Sequence, residues 1–232
     1  FELGTKVNLD ATRDLLEACR LAGHRPKFVF ASSIAVYGAN LEEVVDDTPP
    51  SPRLSYGAQK LVCEILIDDY TRRGYVDGRS LRLPTVMVRP GAANTAVSGW
   101  ASAIIREPLA GRDYVCPVRP DTRMACISLG SVVQSLVRAG DLPGERIGPR
   151  RSILLTGIPV SAEQMWLAAR PHASGKVRFD SNPAVQEIMD AVPKATLSAR
   201  AAALGLAQSS SIEEIVDEYR KTHSDPAFAR HR

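Results

Sequence analysis

Residues 27–38 read KFVFASSIAVYG, a short apolar run that ends in two serines. In residues 27–31 a lysine is followed by an apolar run of β-forming side chains, which predicts a buried strand. Ser32 and Ser33 follow directly, so small polar side chains mark the carboxyl end of this strand. In an open α/β sheet, ligands bind outside the carboxyl ends of the strands. This stretch therefore predicts a parallel sheet and the edge at which a site forms.

Helical patterns flank this strand on both sides. Apolar residues recur at three- and four-residue steps over residues 5–22, and Gly23 supplies a left-handed terminator. The same spacing returns over residues 56–73 and stops at Gly74. Between the two, residues 37–55 hold three prolines and several acidic side chains, which predicts a surface loop.

A second strand is predicted at residues 79–88, with Pro84 interrupting its ladder near the carboxyl end. Strands alternating with helices indicate a parallel sheet covered by helices. Further along the chain we predict helices at 98–106 and 129–139, extended segments at 114–118, 123–127 and 151–156, a capping box at Ser161-x-x-Gln164, and a last helix from Ser211 through Tyr219.

The composition narrows the class of protein. With 44% hydrophobic and 24% charged residues, the 232-residue chain has the material for a folded core. Basic residues outnumber acidic ones only 29 to 26 and are scattered, so nothing indicates a nucleic-acid partner. The apolar runs are far shorter than the roughly 18 residues of a membrane span. The four cysteines have no close spacing, which predicts free thiols and a cytoplasmic protein.

The candidate catalytic motif is Tyr56-Gly-Ala-Gln-Lys60, at the start of the second predicted helix. Residues four apart share a helix face, so Lys60 is expected beside the Tyr56 phenol and to lower its pKa from about 10. Tyr56 then serves as a general base, and Ser33 hydrogen-bonds the substrate hydroxyl that loses its proton. These residue types fit hydride transfer from an alcohol. A solvated surface pair is the alternative, because the Tyr-x-x-x-Lys spacing is only moderately specific.

Four segments carry a family resemblance: Asn8-x-x-x-Thr12-x-x-Leu15-Leu16, Phe30-Ala-Ser-Ser-Ile-Ala-Val-Tyr37-Gly38, Tyr56-Gly-Ala-Gln-Lys60-x-x-x-Glu64 and Arg82-Leu-Pro-Thr85. They resemble the extended short-chain dehydrogenase/reductases, also called the NAD-dependent epimerase/dehydratase family, over nearly the whole chain. Residues 82–91, 105–109, 116–118 and 198–205 resemble a branch that oxidises a four-carbon sugar acid. The resemblance implies an α/β fold with a partial Rossmann-like parallel sheet, covering helices and a smaller carboxyl-terminal α+β substrate-binding region.

The resemblance also implies roles for single residues. Tyr56 is the implied proton acceptor, Lys60 holds the nicotinamide ribose and Ser33 binds substrate. The implied cofactor contacts are Asn8, Tyr56, Lys60, Pro84 and Val86. Asn8 has an alternative role as a helix-start residue. The implied cofactor is NAD, and NADP is not excluded because residues that read the adenosine ribose do not appear in the sequence.

The amino end departs from the family pattern. Such proteins begin with a strand and a Gly-rich turn that cradles the pyrophosphate, whereas this chain opens with Phe1 in a helical pattern. The evenly spaced glycines at 140, 144 and 148 follow a helix and do not fit a phosphate loop. We therefore expect a fragment. Residues 1–90 would form the carboxyl half of an NAD-binding domain, and residues 91–232 mainly a substrate-binding region, with about 129–156 returning to the first domain.

The substrate contacts are predicted less directly. A small acid needs a cationic partner, and arginine binds carboxylates in a bidentate manner. The candidates are Arg106, Arg119 and Arg123. The resemblance favours Arg123, although the residues that follow it depart from the family pattern. Asn94 and Ser98 are candidate partners for substrate hydroxyls or, alternatively, turn formers.

Metals and partners complete the expectations. The four histidines lack metal-ligand spacing, so no metal is expected, and Trp100 and Trp166 are assigned to the core or an interface.

The resemblance implies a homodimer of the complete protein, paired through the helices at 8–20 and 56–73. An NAD-dependent sugar-acid dehydrogenase is the preferred function. A nucleotide-sugar epimerase or dehydratase and a non-catalytic remnant or interaction module stay open.

Overall fold

Strands and helices alternate along residues 1–91 and 97–224, the parts of the chain that the computed structural model describes. The α-helices are α1 (Glu2–Gly4), α2 (Ala11–Ala22), α3 (Ser55–Arg72), α4 (Trp100–Leu109), α5 (Leu129–Asp141), α6 (Gly144–Ile147), α7 (Ala162–Ala169), α8 (Pro183–Ala191), α9 (Ala199–Ala203) and α10 (Ile212–Ser224). The strands are β1 (Lys27–Ser33), β2 (Glu43–Val45), β3 (Asp77–Leu83), β4 (Thr85–Met87), β5 (Tyr114–Cys116), β6 (Arg123–Ser128), β7 (Ser152–Leu154), β8 (Ile158–Ser161), β9 (Val177–Phe179) and β10 (Ala195–Leu197).

The first sheet has the order β1-β3-β7, with all three strands parallel. Ser33 pairs with Leu83, so both strands end at the same edge. On one face Leu16 of α2 and Ile67 of α3 form a buried cluster against the sheet. On the other face Leu81 packs with residues of α5 and α9. The predicted full burial of β1 is wrong, because β1 is an edge strand and none of its apolar residues is fully buried. The predicted α/β fold is confirmed.

A continuous helical run precedes β1. It joins α1, a π-helical segment at Thr5–Asp10 and α2, and it ends at Gly23, whose φ is 72°. The run begins three residues before the predicted start at residue 5. Left-handed backbone at the end of a helix favours glycine, which explains why the sequence located this terminus correctly.

Pro84 separates two sheets. The predicted strand at 79–88 is divided, because β3 belongs to the first sheet and β4 to a second sheet of order β4-β6-β8. In the second sheet β4 and β6 are parallel, and β6 and β8 are antiparallel. Pro84 is buried and lies between the two strands, where its missing N–H removes a ladder hydrogen bond. A single residue therefore carries the chain from one sheet to the other.

Two small parallel pairs, β2 with β10 and β5 with β9, complete the sheets. The prediction of an unbroken surface loop at 37–55 is wrong, because β2 lies within it and Val44 is fully buried. Three residues are too short a run for strand periodicity to show. Their partner β10 lies about 150 residues later, so local sequence contains no trace of the pairing.

The later helices follow their predicted signals. Ser161 and Gln164 form the predicted capping box at the start of α7. The α5 helix packs against β1, and β7 pairs with β3, so residues of the 129–156 segment lie on the first sheet. Trp100 is buried in the core, and Trp166 packs against the same cluster. Among the described residues, no helix has both the length and the apolar character to cross a membrane.

Candidate active site

Ser33 and Tyr56 meet at the carboxyl edge of the first sheet. Ser33 is the last residue of β1, and its Oγ accepts a hydrogen bond from the Ala35 amide at 3.1 Å. Tyr56 lies in the first turn of α3, the helix that follows the long loop. Ser33 lies close enough to the Tyr56 phenol to lower its pKa. The structure thus brings together the strand-end hydroxyl and the phenol that the sequence singled out.

Lys60 lies one turn further along α3, on the same face as Tyr56. Its Nζ is 5.7 Å from the centre of the Tyr56 ring and 4.6 Å from the centre of the Phe30 ring. The ammonium donates a hydrogen bond to the Ala31 carbonyl oxygen at 2.9 Å. The strand backbone therefore uses one of the three ammonium N–H donors. Burial lowers the pKa of Lys60.

The pKa of Tyr56 is shifted upward, in the direction opposite to the prediction. Partial burial of the phenol raises its pKa, and this effect outweighs the influence of Ser33 and the positive charge of Arg89, which both lower it. The expected net lowering of the Tyr56 pKa is therefore wrong for this structure, because burial of the phenol outweighs the groups that favour the phenolate.

Arg89 is a residue that the sequence analysis missed. It lies two residues beyond β4, where its amide donates to Ser102 Oγ at 3.1 Å and its carbonyl accepts from Arg106 Nη1 at 2.9 Å. Both partners belong to α4 and are buried, so α4 fixes the backbone that presents Arg89. The signal was available in the sequence, since an arginine follows the strand that the resemblance assigned to the cofactor.

The remaining cofactor candidates lie on the helical run before β1 and around Pro84. Asn8 lies inside the continuous helical run, so the alternative of a helix-start residue is wrong. Its side-chain amide is 3.0 Å from that of Gln59, the residue before Lys60. Val86 pairs with Ile127 in the second sheet, next to the buried Pro84.

The candidate substrate residues are distributed over different surfaces. Ser98 is half-buried in the turn before α4, and Asn94 lies outside the described residues. Arg123 forms an exposed ion pair with Glu42 at 2.7 Å. The cavity that Arg123 lines includes none of the three predicted catalytic side chains.

The other two arginine candidates also have carboxylate partners. Arg106 Nε lies 2.9 Å from Glu107, and its Nη1 holds the Arg89 carbonyl. Arg119 is exposed and pairs with Asp121 and Asp190. Both guanidinium groups therefore already have carboxylate partners, and these contacts are not visible in the sequence spacing.

Metal ligands do not cluster in the part of the chain that the structure describes. Within residues 1–91 and 97–224, no group of three or more histidine, cysteine or acidic side chains could hold a metal ion. All four cysteines are free thiols.

Comparison with known proteins places the chain in a family. Residues 3–124 match the family described as "NAD dependent epimerase/dehydratase family". The chain belongs to this family. Membership confirms the resemblance to the extended short-chain dehydrogenase/reductases, the assignment as an NAD-dependent oxidoreductase and NAD as the cofactor.

Relatives within the NAD-dependent epimerase/dehydratase family include named dehydrogenases. D-Erythronate dehydrogenase from Cupriavidus necator is 47% identical over 224 residues, which cover 94% of this chain and 69% of that protein. D-Erythronate dehydrogenase from Haemophilus influenzae is 36% identical over 94% of this chain and 71% of that protein.

Solved structures of similar fold include proteins named as epimerases and proteins named as dehydrogenases. The nucleoside-diphosphate-sugar epimerase from Agrobacterium tumefaciens is 37% identical with a TM-score of 0.89, over 95% of this chain and 67% of that chain. The GalE-like L-threonine dehydrogenase from Cupriavidus necator, at 20% identity and a TM-score of 0.84 over 93% of this chain and 71% of that chain, shows the fold alone.

The described residues fit the nicotinamide end of NAD. A ribose needs hydrogen-bond donors, and the Lys60 ammonium keeps two N–H groups beyond the one that Ala31 accepts. A reacting alcohol needs a hydroxyl or phenol partner, and Ser33 and Tyr56 stand together at the sheet edge. The hydrogen-bonding groups at this edge therefore match those that a ribose and a reacting alcohol need.

Proposed function

We propose that this protein oxidises a hydroxyl group of a small sugar acid with NAD, and that D-erythronate is the first substrate to test. The observation that carries the proposal is the juxtaposition of Ser33, Tyr56 and Lys60 at one sheet edge. The choice of substrate is supported by the relative from Cupriavidus necator, which is 47% identical and is named D-erythronate dehydrogenase.

The chemistry assigns one task to each side chain. Ser33 Oγ holds the substrate hydroxyl, and Tyr56 Oη accepts its proton as the carbon–oxygen double bond forms. NAD, when bound, supplies the acceptor for the hydride that leaves the same carbon. Burial raises the pKa of Tyr56, so Arg89 and Ser33 are the groups of this chain that favour the phenolate. Lys60 orients the cofactor ribose with its two remaining N–H donors.

The other contacts belong to the same proposal. Asn8, Pro84 and Val86 flank the nicotinamide, and Ser98 and Asn94 are partners for substrate hydroxyls. Arg123 binds the substrate carboxylate only if it exchanges its ion pair with Glu42. Arg123 has less support than Ser33, since it pairs with Glu42 and lines a cavity that does not include Tyr56.

The proposal includes a homodimer and a cytoplasmic location. Apolar side chains are exposed on the two helical segments that the resemblance assigns to pairing: Leu15 (58%), Val62 (41%) and Ile65 (60%). Exposed apolar residues grouped in this way are typical of an interface. The free thiols agree with a reducing compartment.

The test is accumulation of NADH from NAD and D-erythronate, measured by absorbance with purified protein. A net rise that requires both compounds supports the dehydrogenase. The second candidate is a nucleotide-sugar epimerase, which the 37% identical epimerase structure favours. An epimerase returns the hydride to its substrate, so conversion of a nucleotide sugar without net NADH would replace the first proposal.

A further inference from the structure

A buried ion pair between Glu64 and Arg82 lies beneath the candidate active site. The two side chains are 2% and 7% exposed, and Arg82 Nη2 is 2.7 Å from Glu64 Oε2. Arg82 Nε is 3.1 Å from both carboxylate oxygens, and its Nη1 donates to the Tyr37 hydroxyl at 2.9 Å. Buried charges are costly unless their hydrogen bonds are satisfied, and here the carboxylate is well supplied with donors.

The Glu64 carboxylate connects α3 with all three strands of the first sheet. Ser32 Oγ of β1 donates to it at 2.5 Å, and Ser152 Oγ of β7 donates at 3.0 Å. Arg82 supplies the contact from β3. Tyr56 precedes Glu64 by eight residues, a little more than two turns of α3. The same carboxylate thus ties the helix that carries the phenol to the strand that ends in Ser33.

We propose that Glu64 is a positioning residue that sets the register of α3 on β1 and so holds Tyr56 against Ser33. Its partner Ser32 is the chain neighbour of Ser33, so any shift at Ser32 moves Ser33. The inference rests on the proposed function, because the proposed reaction needs the Ser33 hydroxyl and the Tyr56 phenol next to each other. Misplacement of reacting groups by about 1 Å can cost about 100-fold in rate.

A second buried ion pair in the same sheet provides a matched control. Arg79 is fully buried and pairs with Asp77 at the amino end of β3. Arg79 also donates to the carbonyl oxygens of Ala139 and Leu142, where α5 ends. This pair lies at the opposite end of the strand from Ser33. Asp77→Asn therefore reports what loss of a buried charge does to the fold away from the site.

The experiment compares Glu64→Gln with Asp77→Asn in two measurements. The first is kcat and KM for NAD, where we expect Glu64→Gln to lower kcat about 10- to 100-fold and to leave the KM for NAD within about threefold. The second is a titration of ¹³Cζ-labelled tyrosine by NMR, with the Tyr56 signal identified by its loss in Tyr56→Phe. Ser33 lowers the pKa of Tyr56, so moving the two apart in Glu64→Gln should raise that pKa, and Asp77→Asn should leave both measurements unchanged.

A double variant guards against simple misfolding. Glu64→Gln leaves the Arg82 charge buried without its partner, whereas Glu64→Leu with Arg82→Met removes both charges and keeps apolar volume. We expect the double variant to melt near the wild-type temperature and still to show the lower kcat and the higher Tyr56 pKa. An unchanged Tyr56 titration in this folded double variant overturns the positioning role.

The two measurements also separate this inference from the proposed function. The NMR titration needs no substrate. If wild-type protein forms no NADH from D-erythronate, the proposed function fails, and the titration alone decides whether Glu64 positions Tyr56.

Discussion

Lys60 Nζ donates a hydrogen bond to the Ala31 carbonyl oxygen at 2.9 Å, two residues before the serine that ends the strand. The ammonium therefore ties the helix to the strand backbone and lies 5.7 Å from the centre of the Tyr56 ring. The charge that acts on the phenol comes from Arg89, on a different strand end. Positioning by Lys60 and electrostatics by Arg89 are thus separable by mutation.

Replacing Tyr56 with phenylalanine removes the proton acceptor and leaves the ring in place. We expect kcat to fall by at least about 100-fold, the lower range for loss of a general base. The helix contacts are unchanged, so the melting temperature by circular dichroism should stay within a few degrees. Turnover near the wild-type rate would remove Tyr56 from the base role.

Arg89→Met should move the pH dependence of activity. The Arg89 charge favours the phenolate, so its removal raises the pKa of Tyr56 further. A base with a higher pKa is unprotonated only at higher pH, and the acid limb of the kcat/KM profile should therefore shift to higher pH. Arg112→Met, an exposed arginine paired with Glu107, is the control and should leave the limb in place. A limb that stays fixed in Arg89→Met contradicts the electrostatic role.

Asp68 makes stability depend on pH. Its Oδ1 is buried without a hydrogen-bond partner, and burial together with the Glu64 charge raises the pKa of Asp68 to about 6. The groups that lower this pKa are Arg151, Arg82 and Arg200. A carboxyl with a folded pKa above its unfolded value holds its proton more tightly when folded. The stability that protonated Asp68 contributes to the folded state is therefore fully present below about pH 4. It is lost as the pH rises through about 6.

Asp68→Asn removes this pH dependence, because the amide stays neutral. We expect the variant to exceed wild type in free energy of unfolding by about 1 to 3 kcal/mol at pH 7.5, with the difference disappearing below about pH 4. Urea unfolding at pH 4, 5.5 and 7.5 measures it. Asp69→Asn, on the exposed side of the same helix, should show no such gain. Equal differences at all three pH values would count against a raised pKa.

Gly57 allows the close approach of α3 to the turn after β1. A Cβ at this position would lie 1.9 Å from the Ala35 carbonyl oxygen, which belongs to backbone and cannot move aside. Gly57→Ala should destabilise the fold by about 1 to 3 kcal/mol and lower kcat by about 100-fold as Tyr56 moves from Ser33.

Gly140→Ala is the matched control for this change. A Cβ there would have Val29 as its nearest neighbour at 3.9 Å, so the alanine fits in ordinary contact. Its stability should change by no more than about 1 kcal/mol, and its kinetics should match wild type. Similar losses in both variants would show that the Ala35 contact is not decisive.

Ile65→Glu tests the proposed dimer. Ile65 is 60% exposed on α3, and a charge there would oppose burial in an interface. We expect size-exclusion chromatography with light scattering to show a dimer for wild type and a monomer for Ile65→Glu. Val115→Glu, 49% exposed on β5, serves as the control that stays dimeric. A monomeric wild-type protein would end the proposal.

Local signals predicted Ser33, Tyr56 and Lys60 because a strand end and a four-residue helical spacing are properties of short stretches of chain. Contacts between distant segments could not be predicted in this way. The pairing of Arg123 with Glu42 joins residues 81 positions apart, and it occupies the arginine that the resemblance favoured. Arg89 was missed for a similar reason, since its influence on Tyr56 depends on where the second sheet meets the first.

The passage of the chain through Pro84 also bears on how the protein unfolds. The chain leaves the first sheet at β3, enters the second at β4, returns to the first at β7 and leaves again at β8. Neither sheet is built from a continuous stretch, so we expect the two sheets to unfold together. We expect one calorimetric transition with matching van 't Hoff and calorimetric enthalpies, and no cut in the chain between residues 83 and 158 should release an independently folding piece.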